Sequence, residues 1–315
     1  MIPPRHLRDS PATAGGPLSR RSLLIGGVSL AAAGLGLAAC ATVEQPAAQP
    51  PVPPTGEGAV VPASQPTSRP PAKPTGPSRP RFPSKSAILA EFSGRVPREW
   101  GLDVTGVALG SKSRSVALTF DACGGPGGSG FDRALIGSLR RHQVPATLFI
   151  NKRWAVANPG LLRELAADPL FEIQNHGFHH LPLSASGRNA YGIPGTADLA
   201  AAYDEVAASQ ELLTDLLGHA PKAFRPGTAY YDDVTAAMVS RCGLLPANFS
   251  VNADAGATFP AETVAAQLAG VVGGDVVISH FNQPGSGTSG GYAAGLPRML
   301  DRGIRFAHLS RVFSL

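Results

Sequence analysis

From Lys85 onward the chain alternates short apolar runs with segments whose apolar residues recur at helical spacing, and this alternation restricts the fold most. Seven runs rich in Val, Ile and Phe read as strands: SVALTFD (115–121), PATLFIN (145–151), FEIQNHG (171–177), KAFRPG (222–227), PANFSV (246–251), DVVISHF (275–281) and FAHLS (306–310). Between them, FDRALIGSLRRH and ADLAAAYDEVAASQELLTDLLG read as helices, the second capped by Thr196 and stopped by Gly218. Strands alternating with helices imply parallel β/α units. The expectation is a single α/β domain over residues 86–315, closed or nearly closed into a barrel.

Polar residues fall at one end of these runs. Asp121, His176, Arg225, Asp254 and His280 each lie at or just beyond the C-terminal end of a strand. In a β/α barrel those ends converge on one mouth, so residues distant in sequence share a site, and an enzyme is favoured over a binding module. In EIQNHGFHH, His176 and His180 stand four apart, so a helical or tightly turned segment puts both imidazoles on one side. Two neutral imidazoles and an oxygen ligand suit Zn²⁺, with a coordination position left for water. Asp121 is the candidate general base and His280 the candidate proton donor. Asp254 is placed to orient His280, and Arg225 to pair with Asp121. In FNQPGSGTSGGYAAG, read as a long loop, Asn282, Gln283 and Tyr292 are available to bond sugar hydroxyls. Trp154, Tyr230 and Tyr231 read either as sugar-stacking residues or as packing. Asp232 and Asp233 read as a helix cap and first turn.

The N-terminal part is of another kind. Residues 1–39 contain LSRRSLL before an apolar, Gly/Ala-rich run, and Arg20-Arg21 there resembles a twin-arginine export signal. Leu37-Ala38-Ala39-Cys40 resembles a bacterial lipobox, so lipidation of Cys40 and an extracytoplasmic position on the cell membrane are expected. Residues 40–85 are proline-rich and lack apolar periodicity, which suits an extended tether. The net charge of +5 belongs to these segments: residues 1–85 carry nine Lys/Arg against three Asp/Glu, whereas residues 86–315 carry 18 against 19. Nothing in the folded part calls for nucleic acid. Apart from Cys40 the cysteines are Cys123 and Cys242, which either pair or stay as small buried residues.

LTFDACGGPG, PATLFIN, EIQNHGFHH, FRPG, NADAG and VVISH, in this order and spacing, resemble the polysaccharide deacetylases of carbohydrate esterase family 4 over roughly residues 112–312. The resemblance implies an irregular (β/α)7 barrel, a divalent metal (usually Zn²⁺), and removal of acetyl groups from N- or O-acetylated carbohydrate such as cell-wall glycan. Under it Asp121 looks like the base, His176 and His180 like metal ligands, and Arg225 like the arginine that tethers the base. Asp254 and His280 look like the acid pair. Four departures stand out. Ala122 occupies the place of a second, metal-binding acid, Gly177 replaces a Ser/Thr, Arg225-Pro226-Gly227 shortens the arginine motif, and Ala255 stands where an aromatic residue is common. The expected repair of the ligand set is Asp121 with extra water, ahead of the Cys123 thiolate, whose side chain is expected to point away from that of Asp121. A monomer is expected. The competing readings are a glycan-binding lipoprotein without turnover and a hydrolase of a non-sugar amide.

Overall fold

A computed structural model describes residues 82–315. The expected export segment, Cys40 and nearly all of the tether lie outside the described residues.

The fold begins with α1 (Lys85–Phe92), whose first turn is capped by the Ser84 hydroxyl, and a short strand β1 (Trp100–Gly101). There follow β2 (Ser115–Ala122), α2 (Arg133–Arg141), β3 (Ala146–Ile150), α3 (Lys152–Ala157), α4 (Pro159–Ala167) and β4 (Phe171–Asn175). The long α5 (Leu199–Leu217) leads to β5 (Ala223–Phe224), β6 (Tyr231–Asp232) and α6 (Asp233–Arg241). The last part comprises β7 (Leu245–Pro246), β8 (Val251–Asn252), α7 (Ala261–Ala269), β9 (Val276–His280), α8 (Thr288–Asp301), β10 (Arg305–Phe306) and α9 (Leu309–Phe313).

The sheet runs β7-β5-β4-β3-β2-β9-β8, every pairing parallel, with β10 beside the start of β2. It is the curled seven-stranded half-barrel of a (β/α)7 fold. Strand β2 shows why the central runs are apolar without interruption: both of its faces are covered. Val116, Leu118, Phe120 and Ala122 pack outward with residues of α2, α7 and α8. Ala117 packs inward with Phe149, Phe249 and Ile278. Thr119 and Asp121 follow on that inner face, because successive side chains alternate.

Three elements differ from the expectations. PANFSV is two strands, not one: β7 lies against β5 and β8 against β9, at opposite ends of the sheet. Between them Ala247 N–H donates to Phe224 C=O and Ser250 N–H to Val276 C=O, so this stretch links the two edges. Asn248 makes the bend possible, its buried amide donating to Leu102 and Ala229 carbonyls. The cap of α5 is Asp198, which accepts from Ala201 N–H, while Thr196 is committed to the Ser184 backbone; Gly218 ends the helix with φ 72° as expected. Finally, TSGGYAAG is helical rather than loop. Its glycines let α8 pack on α7: a Cβ on Gly295 would stand 2.8 Å from Leu268 Cδ1, and one on Gly291 would collide with Val264. Among the described residues no helix is long and apolar enough to cross a membrane.

Candidate active site

The C-terminal strand ends open onto one cleft of about 530 Å³, lined among others by Asp121, Cys123, His176, His180 and His280, while Arg225 and Asp254 are buried behind it. That volume suits a small-molecule or sugar-sized group.

Asp121 closes the inner face of β2. Its Oδ1 accepts from Arg225 Nη1 at 2.7 Å, and its Oδ2 lies 3.6 Å from His176 Nε2. Arg225 follows β5 and is fully buried, its other Nη donating to Thr119 Oγ1 and Asn248 C=O. Burial pushes the Asp121 carboxyl up, but the Arg225 guanidinium and neighbouring imidazoles outweigh it and hold the group below the ordinary carboxylate range. The pairing therefore favours the ionised form of the Asp121 carboxyl at the cleft wall.

His176 follows β4 directly. Its Nδ1 meets Arg225 C=O at 2.8 Å, and a carbonyl can only accept, so Nδ1 carries the hydrogen and Nε2 turns to the cleft. His180 lies beyond a tight loop, not on a helix; the two rings stand edge to face, 4.8 Å between centroids. His179 is exposed, away from the cleft.

The loop owes its shape to Glu205, which the sequence reading missed. This α5 side chain is buried, and its carboxylate accepts from the backbone N–H groups of Phe178, His179, His180 and Leu181 at 2.8–3.3 Å. Gly177 is there because a Cβ would stand 2.6 Å from Glu205 Oε1 at a φ of +80°. The departure at Gly177 thus makes room for the carboxylate. An acid between Ala202 and Val206 on the buried face of α5, which also carries Ser209 and Gln210, is the one trace of it in the sequence.

Cys123 lies just beyond β2, its Sγ 3.8 Å from His176 Nε2. The donor atoms of Cys123, His176 and His180 lie within 4.8 Å of one another, and Asp121 stands beside this group rather than in it. That differs from the ranking of Asp121 and water ahead of Cys123. The Cys123 and Asp121 side chains do not diverge: residues two apart share a strand face, and both reach the His176 side of the cleft. Burial raises the Cys123 thiol, but His180, His176 and His280 outweigh it and bring it well below its ordinary value. Neither Cys123 nor Cys242 is in a disulfide.

On the opposite wall His280 ends β9. Asp254 Oδ1 lies 2.9 Å from His280 Nδ1, while Asp254 Oδ2 accepts from His280 N–H and from Thr288 Oγ1. Burial alone would lower the imidazole pKa; Asp254, with help from Cys123, raises it well above the ordinary value. Nδ1 is engaged, which leaves Nε2 for the cleft.

Several candidate sugar contacts are packing instead. Trp154, Tyr231 and Tyr292 are fully buried, their polar atoms bonded to Gly130 C=O, Phe224 C=O and Ser279 Oγ. Asn282 is buried but, like Gln283, lines the cleft. Asp232 caps α6 in a reciprocal bond pair with Thr235, and Asp233 opens its first turn.

The polysaccharide deacetylase family model matches residues 109–247. The peptidoglycan-N-acetylglucosamine deacetylase PgdA of Listeria monocytogenes serotype 1/2a is 26% identical over 197 residues, 61% of this chain and 38% of the relative. A chitooligosaccharide deacetylase of Sinorhizobium fredii is 39% identical over 79 residues, 25% of this chain and 35% of the relative. The chain thus spans well under half the length of the curated relatives it matches. Among solved structures, a peptidoglycan N-acetylglucosamine deacetylase aligns with a TM-score of 0.57 at 23% identity, covering 66% of this chain and 93% of that one. A family 4 carbohydrate esterase pseudoenzyme from Bacillus anthracis aligns with a TM-score of 0.55 at 15% identity, covering 65% and 68%. At those identities the two structures show the fold alone.

Proposed function

The chain carries a polysaccharide deacetylase domain of carbohydrate esterase family 4, and from that premise we propose that it hydrolyses acetyl groups from N- or O-acetylated carbohydrate, cell-wall glycan being the substrate class. The observation that carries this reading is one cleft lined by the Arg225-paired Asp121, the Asp254-bonded His280 and the imidazoles of His176 and His180.

The imidazoles of His176 and His180 fit a divalent cation, Zn²⁺ by donor chemistry, because the His176 tautomer is already fixed with Nε2 free. When bound, such a cation supplies Lewis acidity toward an acetyl carbonyl. Asp121 takes a proton from water as the water attacks that carbonyl, and Arg225 keeps its carboxylate ionised beforehand. His280, charged and held by Asp254, gives a proton from Nε2 to the departing sugar nitrogen or oxygen as the C–N or C–O bond breaks. Acetate and the free amine or hydroxyl result.

The proposal also sets the domain outside the cytoplasm on a lipid anchor at Cys40. Its support is the order of Arg20-Arg21, the apolar run, LAAC and the proline-rich segment.

Acetate release by the full chain from a panel of acetylated glycans tests the reading. Asp121→Asn and His176→Ala are expected to abolish release while leaving the far-ultraviolet circular dichroism unchanged; undiminished turnover in either variant overturns it. The second reading, a glycan-binding module without turnover, is favoured by the non-ligating Ala122. It would show as chelator-insensitive glycan binding with no acetate from any substrate.

A further inference from the structure

We propose that the Cys123 thiolate is the third protein ligand of the cation held by His176 and His180, with Asp121 kept outside the ligand set as a base. The proposal rests on the reading of this cleft as a cation-dependent hydrolytic site.

Strand β2 provides the first argument. Ala117, Thr119 and Asp121 occupy its inner face, and Cys123 continues that parity into the loop, whereas Ala122 packs among the outer apolar residues. The residue between Asp121 and Cys123 therefore has no access to the cleft, and the thiol does.

The turn after β2 fixes the sulfur. Arg153 Nη2 donates to Cys123 C=O at 3.1 Å, and Gly124 N–H donates to Gly128 C=O at 3.0 Å. Gly124 sits so close to the Trp154 backbone that a Cβ there would collide with it. Cys123 is thus held from both the loop and α3, with Sγ 3.8 Å from His176 Nε2.

The donors themselves provide the third argument. One thiolate and two imidazoles, mutually within 4.8 Å, form a soft and borderline set that suits Zn²⁺ or Co²⁺ and disfavours Mg²⁺, Ca²⁺ and Mn²⁺. Asp121 has one oxygen committed to Arg225 and falls outside this set.

Titration of the metal-free full chain with Co²⁺, followed by near-ultraviolet absorption, tests the assignment, because thiolate bound to Co²⁺ gives a charge-transfer band that oxygen and nitrogen ligands do not. The wild type and Asp121→Asn are expected to show the band. Cys123→Ser should lose it and bind Co²⁺ at least about 10-fold more weakly, since even outer-sphere changes cost that much. Cys123→Asp should bind Co²⁺ without the band, which separates ligation from folding. A wild type that fails to bind Co²⁺, or binds it without the band, overturns the proposal. So does a band that survives Cys123→Ser. Acetate release read in parallel separates the two hypotheses: a Cys123-dependent band without acetate from any glycan sinks the deacetylase reading alone, and acetate without the band sinks the cysteine assignment alone.

Discussion

The two imidazole-bearing walls of the cleft are held by carboxylates that act differently. On one wall the loop carrying His176 and His180 is fixed through its backbone: four consecutive amides converge on the Glu205 carboxylate, which comes from a helix outside the site. On the other wall His280 is the last residue of a strand, and its support reaches the ring as well as the backbone, Asp254 meeting Nδ1 with one oxygen and accepting from His280 N–H with the other. The difference matches the roles proposed above for the two walls. A pair of ligands needs its shape held, so the anion binds the main chain alone, and the His176 ring is oriented separately by Arg225 C=O. A proton donor needs its charge held, so the anion binds the ring.

The largest expected effect tests the first wall. Glu205→Ala leaves four amides without their acceptor and should cost about 3–5 kcal/mol of stability in urea unfolding, together with loss of bound metal. A cost below about 1 kcal/mol would mean that the loop holds itself. Asp254→Asn tests the second wall and should lower kcat/KM about 100-fold. Asp254 raises the His280 pKa, and the acid form is lost as pH rises through that pKa, so the alkaline limb of the pH profile should move to lower pH in the variant. An unmoved limb would break the comparison. Gly177→Ala pushes a methyl against Glu205 and should cost about 1–3 kcal/mol, with metal affinity falling and the alkaline limb unchanged. Thr288→Val removes one bond to Asp254 and should cost only about 1 kcal/mol by thermal unfolding.

The second wall was largely legible in the sequence, the first only in part. His280 announces itself because apolar β9 ends there, and Asp254 because it follows a strand-like run by a few residues; a polar residue at such an end points to the barrel mouth. His176 and His180 were visible as a spaced pair, but Glu205 lies 25 residues beyond His180 within a helix, and no local pattern ties it to the loop. Cys123 is legible in principle, since a residue two beyond Asp121 keeps its parity just past the end of β2. Glycine misled in α8, where closeness to α7 rather than turn formation requires it. The split of PANFSV was hidden because its two halves pair with strands on opposite edges, a consequence of barrel curvature that six residues do not encode.

The most direct test of the joint action of the two walls is acetate release from an acetylated chitooligosaccharide by the full chain, before chelation, after it, and after Zn²⁺ is returned. The account predicts that release stops when the metal is removed and returns with about one equivalent of Zn²⁺ per chain. Release that continues in the chelated protein, or its absence from the metal-replete protein on every acetylated glycan tried, would contradict it.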